Sequence, residues 1–433
     1  MDLSVPLNKE QKEAAGLLQA GTFLEYFDLM LYVHMAVVLN ELFFPKTDPK
    51  TASLLTAFTF SSIYVLRPLG ALLFGYIGDC IGRKTTVILT MMLMATSCIL
   101  IASLPTYDQI GITAAWLVTA CRVIQGISSM GEIIGAEIYL TELIPLPLRY
   151  CIVGLISCAS RLGMVAALAV AMLMTSHEMF NWRYAFWAAA GLALVGSVSR
   201  MRLRETPDFL SQKRVHTKNE IKTESSSKLT FISQKVNFKL IMASFLIYSG
   251  PPACLYFIYI FCAEILKQLG QTGQQIIHQN FLISIVEFMV LLATVLLSIR
   301  IHPLKIIKLK SIFFLIFAIS LPFLMMHALS PSLLFIIQLI GVSLILTAVP
   351  AVAALIVHYP IYQRFRYTSI IYALARALMS VIIAFGLVFL TDAFGYWGLS
   401  MLLIPVTLGF IWGVTHFEKL EGLRIRSLNP EVT

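Results

Sequence analysis

Apolar residues run along this chain in blocks of about twenty, separated by short polar punctuation, and a block of that length is what a helix needs to cross a bilayer. Twelve such blocks occur, near residues 15–40, 52–77, 84–104, 112–140, 149–174, 183–200, 239–262, 279–300, 309–328, 332–357, 367–391 and 396–416. The longest interruption runs from Arg202-Leu203-Arg204-Glu205-Thr206-Pro207 to about Phe238 and is polar and basic. The pattern predicts an all-α integral membrane protein with six helices in each half. Residues 1–204 form the first bundle, 205–238 a central cytoplasmic loop, and 239–433 the second bundle with a short cytoplasmic tail.

Composition agrees with this reading. Of the 433 residues, 58% are hydrophobic and 13% charged, about half the charged share of a soluble domain. A net charge of +9 raises the question of nucleic acid, but the basic residues are dispersed between apolar blocks and form no continuous patch. The partners expected are the lipid bilayer, a small solute and protons, with no nucleic acid, and the chain is expected to be a monomer. Placing the N-terminus inside puts 24 of the 32 Lys and Arg residues on the cytoplasmic side and four on the outer loops. That bias predicts cytoplasmic termini. Seven cysteines and eight histidines show no ligand spacing, so neither a metal nor another cofactor is expected. The acidic residues Glu25 and Asp28 in the first block argue against a cleavable signal peptide.

An internal repeat supports two halves. Arg149-Tyr150 opens the fifth block with Arg161 twelve residues on, and Arg366-Tyr367 opens the eleventh with Arg376 ten residues on. The second-half segment around Ile301 to Ser311 is read as an inner loop keeping only Lys305, Lys308 and Lys310.

Charges inside apolar blocks are costly and face a cavity or a partner. Asp28, Arg122, Arg161, Glu287 and Arg376 fall near the middle of their blocks. Glu25, Asp28 and Tyr32 share one helix face, and Arg122, Gln125, Ser129 and Glu132 form a polar stripe on the fourth helix. The candidate solute-binding set is Arg122, Arg161, Gln125, Tyr32, Arg376 and Tyr256; the candidate proton-coupling acids are Asp28, Glu25, Glu132 and Glu287. For Glu132 and Arg67 a structural ion pair competes with a transport role, and for Glu287 an ion pair with Arg376 does. Gly250, Pro251 and Pro252 are expected to kink or break the seventh helix.

Between the second and third blocks lies Gly75-Tyr76-Ile77-Gly78-Asp79-Cys80-Ile81-Gly82-Arg83-Lys84. This decapeptide resembles the loop between helices 2 and 3 of the major facilitator superfamily. Gly21-Thr22-Phe23-Leu24-Glu25-Tyr26-Phe27-Asp28, Arg67-Pro68-Leu69-Gly70, Arg122-x-x-Gln125-Gly126, Gly131-Glu132, Gly135 and Arg366-Tyr367-Thr368 are similar to its metabolite:proton symporter branch. The chain departs from the pattern at Cys80, Met130, Ile133, Ile134, Ser369 and Ala373. The resemblance implies the major facilitator fold, with two pseudo-symmetric six-helix bundles in the bacterial inner membrane. It also implies proton-coupled import of a small carboxylate or zwitterion such as proline, betaine or a dicarboxylate. Gly75, Gly78, Asp79, Gly82, Arg83 and Lys84 would form a gating motif meeting Arg366. An exporter or uniporter on the same fold, and a membrane receptor or sensor, are the alternatives. No catalytic constellation is evident, and osmosensing through a long tail is not expected from the roughly seventeen residues after the last block.

Overall fold

The computed structural model describes residues 7–34, 39, 42–44, 66–176, 182–201, 203–207, 209–211, 236–327 and 330–428. The helices used below are α1 (Lys9–His34), α2 (66–80), α3 (Arg83–Ser103), α4 (Ile112–Leu143), α5 (Leu148–Ser176), α6 (Trp182–Arg200), α7 (Phe238–Gln268), α8 (Gly273–Leu297), α9 (Pro303–Met326), α10 (Pro331–Ser343), α11 (Ile361–Phe394) and α12 (Trp397–Leu428). Eight of them are long and apolar enough to cross a membrane, among the described residues. No strand occurs in those residues.

The chain divides into two compact units: residues 2–234 with 359–373, and residues 235–358 with 374–433. The first turns of α11 therefore pack with the first unit. Within that unit α1 lies against α5, α6 and α4, and α3 lies against α4 and α6. Within the second, α12 packs on α7 and α9, and α8 on α10.

Helix starts follow local chemistry. The Asn237 carboxamide oxygen accepts the Lys239 amide at 2.9 Å and begins α7. Thr272 and Gln275 cap each other's backbone at the start of α8, and Ser330 caps α10 ahead of Pro331. Several charged side chains are turned inward and several large apolar ones outward: Arg83, Arg122 and Arg200 are buried, while Phe385 and Phe389 on α11 are exposed. Without water around it, a membrane protein sorts its surface this way.

Three elements differ from the sequence expectation. Pro303 begins α9 five residues before Lys308, so Lys305, Lys308 and Lys310 stand on helix rather than in a loop; proline at the first helical position lacks only an amide that would have had no helical partner. The block 332–357 is interrupted, because α10 ends at Ser343 and only Val352–Ile356 is helical again. Pro350 lies in that gap, where an interior proline would break helical hydrogen bonding. Conversely, α7 is not broken at Pro251 and Pro252; it continues, and Tyr256–Phe261 adopts a π-helical turn.

Candidate functional site

The decapeptide forms the end of α2 and a tight turn into α3. Gly82 has φ +146°, a conformation that suits glycine, and a Cβ there would strike the Glu205 carboxylate. At Gly75 a Cβ would come within 2.9 Å of the Arg366 Cα. The absence of a side chain at Gly75 lets α2 approach the first turns of α11, and Asp79 uses that approach. Its Oδ1 accepts the Phe365 amide at 3.0 Å and its Oδ2 the Arg366 amide at 2.9 Å.

Arg83 is fully buried and joins the same network. Nη1 donates to the Gly78 carbonyl at 2.5 Å and lies 3.5 Å from Asp79; Nη2 donates to the Ile361 carbonyl at 2.6 Å and to Glu142 at 3.3 Å. Glu142 also accepts from Arg364 at 3.0 Å and from the Thr206 hydroxyl at 2.6 Å. Glu205 accepts the Arg83 and Lys84 amides at 3.0 and 3.3 Å, so a carboxylate compensates the positive end of α3. The Arg366 guanidinium sits 5.5 Å over the Tyr76 ring. Lys84 itself is half-buried. Glu142, Glu205, Thr206 and Arg364 are not among the site residues the sequence predicts: Glu205 and Thr206 fall in the polar interruption and Arg364 between two apolar blocks. The signal available was their spacing from the ends of α4, α6 and α11.

Deeper in the first unit, α1 and α4 bring together Asp28, Gln125 and Arg122, each at most 1% exposed. The Gln125 amide donates to Asp28 Oδ2 at 2.9 Å, and its carbonyl oxygen accepts from Arg122 Nη1 at 2.7 Å. A neutral amide thus joins an acid on one helix to a guanidinium on another. The Cys98 thiol lies 3.8 Å from the same Gln125 nitrogen.

The polar stripe of α4 splits between two environments. Glu132 forms a buried ion pair with Arg200, whose Nη2 also donates to the Leu18 carbonyl at 3.1 Å. Arg200 stands at the end of the sixth apolar block, closes α6 and is 0% exposed. Glu25 and Arg67 are buried in the same half, and Arg67 is among the charges acting on Glu25.

Other predicted residues are placed apart. Arg161 is half-buried on α5, with Nη1 3.8 Å from the Met164 sulfur. The side chain of Tyr32 lies outside the described residues. In the second unit, Glu287 is buried and accepts the Tyr259 hydroxyl at 2.8 Å. Arg376 and Tyr256 are half-buried on α11 and on the π-helical turn of α7. Gln338 donates to the Ile258 carbonyl in that turn at 2.7 Å and accepts from Gln279 at 2.6 Å. Six cysteines are buried and Cys80 is exposed. Among the described residues, no group of three His, Cys, Asp or Glu side chains is arranged to hold a metal.

The sequence pattern of the Major Facilitator Superfamily matches residues 20–386, most of the chain. The protein belongs to that superfamily. Over 214 residues it is 32% identical to the proline/betaine transporter of Escherichia coli K12, covering 48% of this chain and 43% of that protein. Over 232 residues it is 33% identical to the inner membrane metabolite transport protein YhjE of the same strain, covering 52% of each. Its similarity to the glycine betaine/proline/ectoine/pipecolic acid transporter OusA of Dickeya dadantii is 32% over 214 residues, covering 48% of this chain and 43% of OusA. The aligned stretches span about half the length of these relatives. In fold, it is similar to the E. coli proton:xylose symporter XylE bound to 6-bromo-6-deoxy-D-glucose, with TM-score 0.75, 16% identity and 95% of each chain covered. It is also similar to the E. coli fucose:proton symporter FucP, with TM-score 0.69, 13% identity, and 95% and 99% of the two chains covered. The superfamily member described here therefore has the all-α fold that its apolar blocks predict. Its relatives are the proline/betaine and metabolite transporters to which the residues of α1 and α4 point.

Proposed function

We propose that this protein is a secondary active transporter that imports a small carboxylate or zwitterionic metabolite together with protons. It works in the bacterial inner membrane by alternating access, with both termini cytoplasmic. The observation that carries this reading is the buried Asp28–Gln125–Arg122 relay. An acid that exchanges protons and an arginine that binds a carboxylate need to sense each other, and a shared glutamine provides that link at hydrogen-bond distance. The relatives named for proline and betaine support the solute class, since both carry a carboxylate. The lysine and arginine bias supports the orientation.

The test is uptake of radiolabelled proline and glycine betaine into proteoliposomes with an imposed proton gradient. Accumulation under an inward gradient, abolished by a protonophore, is expected. Uptake indifferent to the gradient would mean a uniporter, and accumulation only under an outward gradient an exporter; either result sinks the importer reading.

A further inference from the structure

The chain passes from the second unit to the first between His358 and Tyr359. Pro360 follows, and a residue before proline favours extended backbone, so the link from Val357 to Pro360 stands outside both the short helix Val352–Ile356 and α11. Each side of that passage is held by a different chemistry. On the first-unit side the Tyr359 carbonyl accepts Arg364 Nε at 3.2 Å, and Arg364 Nη1 donates to Glu142 at 3.0 Å. A guanidinium does not lose its proton in proteins. On the second-unit side His358 Nε2 lies 3.0 Å from Glu421 Oε2 on α12. An imidazole changes charge between about pH 5 and 8. The His358 side chain is 12% exposed and that of Glu421 6%, so the contact is mostly sheltered while protons from solution still reach the ring.

We propose that His358 and Glu421 form a proton-operated tie that governs how freely this link moves. With a neutral imidazole the contact is an ordinary hydrogen bond; with an imidazolium it is charge-assisted and roughly twice as strong. The link is therefore held fast at acid pH and released as pH rises. The proton comes from the solution at this end of the molecule and returns to it, so the tie sets the mobility of the link and carries nothing across the bilayer. Other charged groups gather around it. Glu418, three residues before Glu421 and on the same face of α12, is paired with Lys308 of α9 at 2.5 Å. Burial holds His302, at the start of α9, below the ordinary histidine range; Glu421 acts to raise it, Lys305 to lower it and Glu418 to raise it. An imidazolium at His302 is thus disfavoured. His416 of α12 stacks on Trp412 with ring centres 5.8 Å apart, and the charges acting on it are Lys239 of α7, Lys419 of α12 and His358. The buried Phe417 ring lies 5.7 Å from the His358 ring and 6.3 Å from that of His416. Of the three histidines, His358 is the one that stands at the passage itself.

Full-length protein in lipid nanodiscs is followed by hydrogen–deuterium exchange of the amides of residues 352–366 at about pH 6 and about pH 8, within the range where histidine titrates, each corrected for the intrinsic rate at that pH. Opening of the link is expected to be about fivefold more frequent at the higher pH, the difference between a charged and a neutral hydrogen bond. That difference is expected to vanish in His358→Gln and in Glu421→Gln and to persist in His302→Gln and His416→Gln. Equal opening of wild type at the two pH values, or a difference that survives His358→Gln, overturns the tie. Its loss in His302→Gln or His416→Gln also does so, by placing the titrating ring elsewhere. His358→Arg separates charge from structure, since it keeps a cation beside Glu421 at both pH values. Slow opening at both is expected, and opening that still depends on pH overturns the proposal; this variant decides alone if His358→Gln does not yield folded protein. The tie makes no use of the solute or of proton-driven import, and a protein that accumulates no solute leaves it standing.

Discussion

At the scale of single residues, charge identity and charge shape do different work in the buried relay. Arg122 presents a planar fork, one nitrogen of which is held by Gln125 at 2.7 Å. Lysine at the same position keeps the positive charge but replaces the fork with a single flexible ammonium group. Arg122→Lys is therefore expected to fold and insert while binding the carboxylate solute about tenfold more weakly, the loss of one charge-assisted hydrogen bond. Equilibrium binding of labelled proline or glycine betaine, whichever wild type takes up, measures it; wild-type affinity in the lysine variant would remove bidentate recognition at Arg122. The midblock positions of Asp28 and Arg122 were legible in the sequence because charge is rare there. Their partner geometry was not, since 3-residue spacing on α4 sets Gln125 beside Arg122 but does not say which helix supplies the acid. Arg200 was illegible for the opposite reason: at the end of an apolar block, a buried arginine and a cytoplasmic one look alike.

At the scale of elements, two contacts invite opposite experiments. Asp79 at the end of α2 accepts two amides of α11. Asp79→Asn offers one acceptor oxygen in place of two and removes the negative charge from the amide end of that helix. Transport is expected to fall although the protein still inserts, and labelling of cysteines introduced on the face that carries Asp79 is expected to rise. Unchanged uptake and unchanged labelling would mean that this contact does not hold a gate. In α7, the π-helical turn after Pro251 and Pro252 directs the Ile258 carbonyl to Gln338. Gln338→Leu leaves that buried carbonyl without this donor, at a cost of about 1–3 kcal/mol. A lower Tm of the detergent-solubilised protein is expected, and an unchanged one would show that another donor replaces Gln338. Block lengths revealed where helices lie, because apolar runs of twenty have few other fates. They did not reveal the π-turn, the early start of α9 at Pro303 or the gap after Ser343. Each depends on where proline removes an amide and which neighbour satisfies the carbonyl left behind.

For the whole molecule, the question is whether movement of solute is tied to movement of protons. Coupling requires that a single carboxyl change its preference for a proton as its surroundings alternate between water and protein, because burial favours the neutral acid and a nearby arginine the charged one. Asp28 has both influences at hand: it is 1% exposed, and it reaches Arg122 through one shared amide. Asparagine in its place can keep a hydrogen bond with Gln125 but cannot carry a proton. Asp28→Asn is accordingly expected to lose accumulation of solute against its gradient, and to lose the accompanying acidification of the vesicle lumen, while exchange of labelled for unlabelled solute continues. Lumenal pH and labelled solute are recorded in the same proteoliposomes. If the variant still concentrates solute and acidifies the lumen as wild type does, Asp28 is not the coupling acid. The same pair of measurements on Glu25→Gln then asks whether the acid one turn away along α1 carries the proton instead.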